Sequence, residues 1–350
     1  MFRAYLEDFI IDENETVYKA AWQAQRNRTN LIVIDQNKKF KGIIGTKEIQ
    51  KSYWGEYKIV KDICNENCVH IIAGTEDEIY AAARNIFAEK SIRFIPVIDG
   101  EKNVMDMFSR ERAFFMQEFQ SRRLSRMHYA ECIYKMAEEA KQLGISRFSV
   151  IEFGVASGNG LITAEFYAKE ISRLLNVEIE VYGFDNASGL PNIEDYRKEA
   201  GWIWFEGLFN VMDVEKTKKR LRFAKLILGD IDQSLKTFIQ DYHPAPIGVM
   251  FVDVDRYAST CSILHFLEQN DKYFMPRIQM YFDDIVDWTD SIGEHLAVKE
   301  FNLKHENMKI LPEDSHTHIK ICSRYLHSLY NKPFRSSWEF TGCNYSSYIL

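Results

Sequence analysis

The chain has 350 residues, of which 46% are hydrophobic and 27% are charged, a composition typical of folded globular proteins. Its 44 basic and 51 acidic residues give a formal net charge of −7, which disfavours a nucleic-acid partner because phosphate binding needs a basic surface. No apolar run approaches the roughly 20 residues that span a bilayer, and the N-terminal sequence lacks the features of a signal peptide. The six cysteines have no framework spacing, so the sequence predicts a reducing, cytoplasmic location.

The first third of the chain contains an internal repeat. The stretches that begin at Thr16 and Asp77 each read as an amphipathic helix, an apolar strand, a turn with an aspartate and a second strand. The aligned residues are Val17, Ala20, Ala21 and Asp35 in the first copy, and Ile79, Ala82, Ala83 and Asp99 in the second. The sequence therefore predicts a duplicated β-α-β-β unit.

This repeat resembles the CBS domain pair over about residues 8 to 113, especially the version attached to sugar nucleotidyltransferases. The resemblance implies a homodimer and an adenine nucleotide bound through a hydroxyl and a carboxylate that follow the second strand. Gly45 and Glu48 occupy these two positions in the first copy, and Phe108 takes the hydroxyl position in the second. Two interpretations follow: a nucleotide site, or a docking or dimerisation module that has lost its ligand.

A helical connector is predicted between two domains. Apolar residues between Tyr129 and Leu143 recur at three- and four-residue steps, and Gly144 then ends the helix. The predicted organisation is a CBS pair in residues 1–115, the connector in 116–145 and a second domain in 146–350. The tail of the second domain is predicted to add two closing strands, MKILP and HIKICSRYL.

The second domain begins with a strand, a glycine-rich turn and a helix. The apolar run FSVIEF predicts a buried parallel strand, the turn runs from Gly154 to Gly160, and the next strand ends in Asp185. Glycines let the backbone approach a ligand closely, and a carboxylate at the end of the second strand can accept both ribose hydroxyls. This constellation predicts an adenosine site.

Glu152 indicates which adenosine ligand binds. It places an anion where a dinucleotide would place a phosphate, which favours a cationic ligand such as S-adenosylmethionine; the alternative is an incidental carboxylate at a strand end. Asp230 and Ile231, after a later strand, are expected to lie at the adenine ring. The complete predicted cofactor set is Glu152, Gly154, Ser157, Gly158, Asp185, Asn186, Asp230 and Ile231.

Two pairs of aspartates end later strands of the same predicted sheet. Asp253 and Asp255 are two apart, so they point to one side of a strand, and Asp283 and Asp284 stand where a strand turns into a loop. Converging carboxylates repel one another unless a cation neutralises them, and oxygen ligands suit Mg²⁺. The alternative is two separate solvated turns. Because helices alternate with these strands, we expect a Rossmann-like, doubly wound, mostly parallel α/β sheet.

From about His128 onward the chain resembles the macrocin O-methyltransferase (TylF-like) group of class I S-adenosylmethionine-dependent methyltransferases, which methylate sugars. The motifs that carry the resemblance are, in order, EFGVASGNG, GFDNASGLP, VDVDRYAST, FDD and GEHLAVKEFN. The resemblance implies Mg²⁺ or a similar cation on Asp255, Asp283 and Asp284, with Asp255 or Asp253 as the base. It also implies a sugar-containing or lipid-linked acceptor, as in surface-polysaccharide biosynthesis.

The chain departs from this pattern in two places. Arg256 puts a cation beside the predicted metal ligands, which is expected to alter substrate choice or weaken metal binding. An aromatic insert, residues 196–216, carries Trp202, Trp204 and Phe205 as a lid over a sugar or as packed core. The alternative function is a non-catalytic sensor whose two domains both bind adenosine ligands, and a dehydrogenase is a third reading.

Overall fold

The computed structural model describes residues 6–27, 30–52, 59–92, 94–285, 290–306, 308–312 and 322–323. The chain divides after Leu124 into two compact units, residues 1–124 and 125–350. The segment predicted as a connector, residues 116–145, therefore contributes a short helix to the first unit and a long helix to the second. Among the described helices, none combines the length and the hydropathy needed to cross a bilayer.

The first unit contains two three-stranded sheets with the same topology. The first copy comprises β1 (Ile10–Asp12), α1 (Val17–Asn27), β2 (Leu31–Ile34), β3 (Phe40–Ile44) and α2 (Thr46–Ser52). The second comprises β4 (Ile71–Ile72), α3 (Glu76–Glu89), β5 (Phe94–Ile98), β6 (Val104–Ser109), α4 (Arg110–Ala113) and α5 (Phe115–Gln120). In each sheet the first two strands are parallel and the last two antiparallel, so the duplicated β-α-β-β prediction is confirmed.

Local sequence signals explain these elements. Thr75 begins α3 with a capping box, in which its side chain accepts from the backbone of Glu78 and the Glu78 side chain accepts in return. Each copy buries its own apolar core, and a third apolar group draws residues from both copies, among them Ile32 and Phe94. Shared burial joins the two copies into one unit.

The second unit is built on one seven-stranded sheet. Its elements are α6 (Met127–Gln142), β7 (Arg147–Phe153), α7 (Asn159–Leu175), β8 (Glu178–Asp185), α8 (Val214–Arg220), β9 (Lys225–Leu228), α9 (Ile231–Tyr242), β10 (Ile247–Val252), α10 (Tyr257–Phe266), β11 (Phe274–Phe282), α11 (Gly293–Lys304), β12 (Leu311–Pro312) and β13 (Cys322–Ser323). The strand order is β12-β13-β11-β10-β7-β8-β9. The five strands from β11 to β9 are parallel and β13 is antiparallel, which confirms the predicted mostly parallel α/β sheet.

The strand order of the sheet reverses between β7 and β10. Both strands are buried along nearly their whole length, which is why they read as continuous apolar runs. The chain runs outward from β7 through β8 to β9 and then returns on the other side of β7 as β10. In open parallel sheets ligands bind at the carboxyl ends of the strands beside such a reversal. Most of the second predicted tail strand lies outside the described residues.

Candidate functional site

The glycine-rich loop after β7 is packed against the chain that follows β10. Gly154 has φ +84°, and a Cβ there would lie 1.7 Å from the carbonyl oxygen of Asp253. Gly158 has φ +85°, and its Cβ would lie 2.7 Å from the Thr217 side chain. Only glycine fits both the left-handed backbone and this close approach. The loop is therefore a neighbour of the aspartate pair that ends β10.

Asp185, the predicted ribose ligand, also holds this loop. Its Oδ2 accepts hydrogen bonds from the backbone N–H groups of Val155 and Ala156, both at 2.8 Å. Its Oδ1 accepts from the backbone of Ala187 at 2.6 Å. A carboxylate has about four acceptor positions, so these three bonds leave capacity for a ribose hydroxyl. The sequence pattern predicted a ribose ligand at Asp185 but did not indicate that its carboxylate also holds the glycine-rich loop.

Glu152 forms a buried anionic position beside the loop. It is 1% exposed, its Oε1 accepts from the Tyr129 hydroxyl at 2.7 Å, and its Oε2 has no hydrogen-bond partner among the described residues. Burial raises the pKa of Glu152 to about 7, although the Tyr129 hydrogen bond and the charge of Arg126 lower it. A Cβ on Gly160 would lie 1.8 Å from Oε1, so that glycine makes room for the carboxylate. A buried carboxylate with a free oxygen suits a cationic donor.

The other predicted cofactor residues all have contacts that shape the site. Asn186 donates from Nδ2 to a carbonyl three residues further on at 2.8 Å. The Asp230 carboxylate accepts from the backbone at 3.1 Å and caps α9, which begins at Ile231. The Ser157 carbonyl accepts from the Arg220 guanidinium at 3.2 Å. The parallel strands β7, β8 and β9 place the loops that follow them at the same edge of the sheet.

Three acids come together beside the loop. Asp253, Asp255 and Asp284 each place a carboxylate oxygen within 4.8 Å of the others. Asp255 has φ +57°, an unusual left-handed conformation for a non-glycine residue. Asp283, which the resemblance implies is a cation ligand, accepts a hydrogen bond from the Tyr281 hydroxyl at 2.7 Å. The group of three therefore includes Asp253, and Asp283 lies close enough for its charge to raise the pKa of Asp253.

The acid group is electrostatically unfavourable without a cation. Burial raises the pKa values of Asp253 and Asp284 well above the ordinary range, and the neighbouring carboxylates add to the effect. Burial also raises the pKa of Asp255 to about 7, against the lowering effects of Asp284 and Arg256. The Oδ2 atom of Asp284 is buried without a partner among the described residues. Clustered carboxylate oxygens of this kind fit a hard divalent cation such as Mg²⁺.

Sequence reasoning missed a further acid behind this group. Glu294, in the first turn of α11, is fully buried, and its Oε2 accepts from the Asp284 backbone N–H at 3.1 Å. Its Oε1 has no hydrogen-bond partner among the described residues. Burial raises the pKa of Glu294 well above its usual range, and the charges of Asp253 and Asp255 raise it further. A glutamate in the first turn of a helix is common, so the sequence carried no specific signal for it.

Arg256 turns away from the acids. It is 1% exposed, and its guanidinium donates to the carbonyl oxygens of Trp204 at 2.8 Å and Pro191 at 2.9 Å. Its charge still lowers the pKa of Asp255. The direct contacts therefore hold the aromatic insert and the Gly-Leu-Pro loop in place.

The aromatic insert divides into buried and exposed residues. Trp204 is 9% exposed and packs with Leu190 and Ala200, whereas Trp202 is 69% exposed and Phe205 is 56% exposed. The packed-core interpretation therefore holds for Trp204, whereas a lid formed by Trp202 and Phe205 stays a prediction.

Replacing Arg256 by methionine should destabilise the insert. The change leaves the buried carbonyl oxygen of Trp204 and the part-buried one of Pro191 without their charged donor, so we expect the free energy of unfolding to fall by about 3 kcal/mol. Urea denaturation measures this, and limited proteolysis should show faster cleavage within residues 196–216. Arg197→Met is the matched control, because its side chain is 89% exposed in the same insert. Equal losses in both variants would contradict the anchoring role.

No protein-family model and no curated protein sequence matches this chain. Similar solved structures include CalS11, a calicheamicin methyltransferase, which is 14% identical, has a TM-score of 0.42, and matches over 73% of this chain and 95% of its own. The CBS domains of a transcriptional regulator from Streptococcus pneumoniae are 15% identical with a TM-score of 0.28, over 33% and 93%. CBSX2, solved in complex with AMP, is 22% identical with a TM-score of 0.27, over 33% and 89%. At these identities the likeness concerns the fold alone.

Proposed function

We propose that the second unit transfers a methyl group from S-adenosylmethionine to a hydroxyl of a sugar-containing acceptor, with a divalent cation such as Mg²⁺. The observation that carries this proposal is the close approach of Gly154 to the Asp253 carbonyl. Because of this approach, the glycine-rich loop of the proposed adenosine site lies next to the group of three acids, at the carboxyl ends of β7 and β10. Methyl transfer requires this proximity, because donor and acceptor must be aligned.

The proposed cofactor seat has a carboxylate acceptor at each of its two ends. Asp185 accepts from a ribose hydroxyl, and the free oxygen of Glu152 accepts from the ammonium group. A buried anion at this position repels the pyrophosphate of a dinucleotide, which favours S-adenosylmethionine over a nicotinamide cofactor. Ser157, Gly158 and Asn186 border the seat, and Asp230 with Ile231 forms its adenine corner.

S-adenosylmethionine supplies the methyl group, and a divalent cation lowers the pKa of a hydroxyl bound to it. Asp255 and Asp284 are the proposed cation ligands. Asp253 lies within 4.8 Å of both and also has Glu152 among the charges that raise its pKa, so it stands on the cofactor side of the group. That position suits the base that removes the hydroxyl proton. Glu294 holds Asp284 through its backbone N–H and acts as a positioning residue.

Glu152→Gln tests the cofactor seat. The change removes the buried charge and keeps the shape, so we expect S-adenosylmethionine to bind about 10- to 100-fold more weakly in calorimetry. Glu170→Gln is the control, since Glu170 is equally buried on α7 and pairs with Arg173 instead. Unchanged affinity in Glu152→Gln would remove the ammonium role from this residue. Release of S-adenosylhomocysteine with nucleotide sugars and lipid-linked sugars tests turnover, and its absence would favour the sensor function.

For the first unit we propose a regulatory or dimerisation module of a homodimer. Phe108, at the hydroxyl position of the second copy, is fully buried, with the Arg112 guanidinium 4.2 Å from its ring centre. Arg112 also forms a buried ion pair with Asp106 at 2.8 Å. In the first copy the Glu48 carboxylate accepts from the Gly45 backbone at 3.0 Å. The Glu48 carboxylate is thus engaged by the backbone of its own turn, and Phe108 offers no hydroxyl, which favours the module without a ligand.

A further inference from the structure

Exposed apolar side chains are concentrated in the aromatic insert. Fourteen large hydrophobic residues are exposed among those described, and six of them lie between positions 196 and 211. They are Tyr196 (71%), Trp202 (69%), Ile203 (44%), Phe205 (56%), Phe209 (46%) and Val211 (62%). Such concentrations of exposed apolar surface mark interaction sites.

A basic cluster follows directly along the chain. Residues 214–225, which include α8, contain six lysines and arginines and one glutamate, a net charge of +5 in a chain whose total is −7. Lys219 and Lys225 are exposed, and the Lys218 side chain is 50% exposed. Phe223, 41% exposed, adds a further aromatic ring within this cluster. The local charge is opposite to that of the chain as a whole.

The exposed rings stand on a fixed support. Trp204 packs into an apolar core, and its carbonyl oxygen accepts from the buried guanidinium of Arg256 at 2.8 Å. The residues on either side of Trp204 therefore project outward from an anchored backbone. Collapse of the rings onto their own support would break these buried contacts.

This surface borders the proposed cofactor seat. The Arg220 guanidinium of α8 donates to the Ser157 carbonyl at 3.2 Å and to the Asn159 side chain at 2.9 Å, both in the glycine-rich loop or the helix start after it. A Cβ on Gly189 would lie 2.6 Å from the Leu208 carbonyl, so the insert also packs on the loop after β8. A binding partner on this surface would thus lie next to the proposed reaction site.

We propose that the surface formed by residues 196–211 and 214–225 docks on an anionic lipid bilayer. Tryptophan and phenylalanine rings favour the boundary between headgroups and acyl chains, and lysines beside them are attracted to anionic headgroups. The combination suits an anionic bilayer, because exposed rings and a local charge of +5 follow one another along the chain and match acyl chains and anionic headgroups respectively. That the acceptor is a lipid-linked sugar rests on the methyl-transfer function proposed above, whereas bilayer docking does not.

Vesicle co-sedimentation of the full chain, without cofactor, tests the docking. We expect binding to phosphatidylcholine vesicles that contain phosphatidylglycerol, and at least about tenfold weaker binding to phosphatidylcholine alone. Trp202→Ser with Phe205→Ser, and separately Lys218→Gln with Lys219→Gln, should each lower binding to the anionic vesicles by about tenfold or more. Tyr18→Ser with Trp22→Ser is the control, because these rings are 82% and 57% exposed in the first unit.

Four results would overturn the proposal. They are no sedimentation with anionic vesicles, equal binding to neutral ones, the same loss in the control variant, and displacement from the vesicles by soluble glycerol phosphate at constant ionic strength. The last result would identify a site for free phosphate. The assay contains no cofactor, so it tests docking separately from methyl transfer. Vesicle binding without release of S-adenosylhomocysteine in the turnover assay would support the docking surface and contradict the proposed function.

Discussion

Replacing Gly154 by alanine is expected to abolish S-adenosylmethionine binding and to lower the free energy of unfolding by about 4 kcal/mol or more. Alanine is strained at φ +84°, and its Cβ would lie 1.7 Å from the Asp253 carbonyl oxygen, an atom of the backbone. No side-chain rotation relieves that contact, so the loop and the end of β10 must separate. Urea denaturation measures the stability, and calorimetry measures the binding.

Two other glycines are control positions that distinguish the effect of the close contact from the effect of backbone strain. Gly144 and Gly207 have φ +69° and +76°, and a Cβ at either position would meet nothing within 4 Å. Alanine there should lower the stability by only about 1 kcal/mol, the effect of the left-handed backbone alone. If Gly154→Ala lost no more stability than these two variants, the loop and the Asp253 carbonyl would not be in contact.

The cation-free protein is expected to lose stability as the pH rises from about 4 to about 8. The pKa of Asp255 rises from 3.8 to about 7 on folding, and that of Glu152 rises from 4.5 to about 7, in both cases mainly through burial. The folded state therefore binds more protons than the unfolded state between these values. The stabilisation is complete below the ordinary pKa of each group and is lost as the pH passes about 7. The slope is on the order of 1 kcal/mol per pH unit for each group.

Adding Mg²⁺ or Mn²⁺ at pH values above 7 should restore this stability, because the cation binds the folded state. Asp284→Asn should remove the response and, by removing one of the repelling charges, stabilise the cation-free protein.

Glu294→Gln should weaken Mn²⁺ binding by about 10- to 100-fold in calorimetry, as expected for a group that positions a ligand. Thermal unfolding with and without a chelator measures the stability changes.

Glu165→Gln is the matched control for Glu294→Gln. Glu165 is also a buried glutamate, but its Oε1 accepts from the backbone N–H groups of Arg222, Phe223 and Ala224, away from the acids. It should lower the stability and leave Mn²⁺ affinity unchanged. A cation response that is equal in the wild type and in Asp284→Asn would contradict the cation site and leave the adenosine seat untouched.

The sheet was predictable because its signals are local. Strands buried on both faces read as continuous apolar runs, as in β7 and β10, and helices between them imply parallel neighbours. The carboxyl ends of parallel strands lie at one edge, so the meeting of Asp253, Asp255 and Asp284 followed from topology. The two-residue spacing of Asp253 and Asp255 explains their proximity only in part. Asp255 lies past the end of the strand in a left-handed conformation, where side-chain alternation no longer applies.

The remaining contacts join residues that are not neighbours in sequence. Arg256 finds its acceptors 52 and 65 residues away, and a charged residue at a strand end gives no sign that it is buried. Glu294 is fixed by one backbone N–H of Asp284. In the aromatic insert, residues 196–216, most of the chain is irregular, so no period distinguished the buried Trp204 from its exposed neighbours.

Under the proposed function, the carboxylate of Asp185 serves both the architecture of its turn and the recognition of a nucleoside. Three backbone N–H groups orient it before any ligand arrives, so a nucleoside meets an acceptor that is already in position and loses little affinity to ordering it. Because one carboxylate has both roles, substitutions at Asp185 are restricted. A variant of this fold that accepts a different ribose or none would need a new way to hold the chain at Val155 and Ala156.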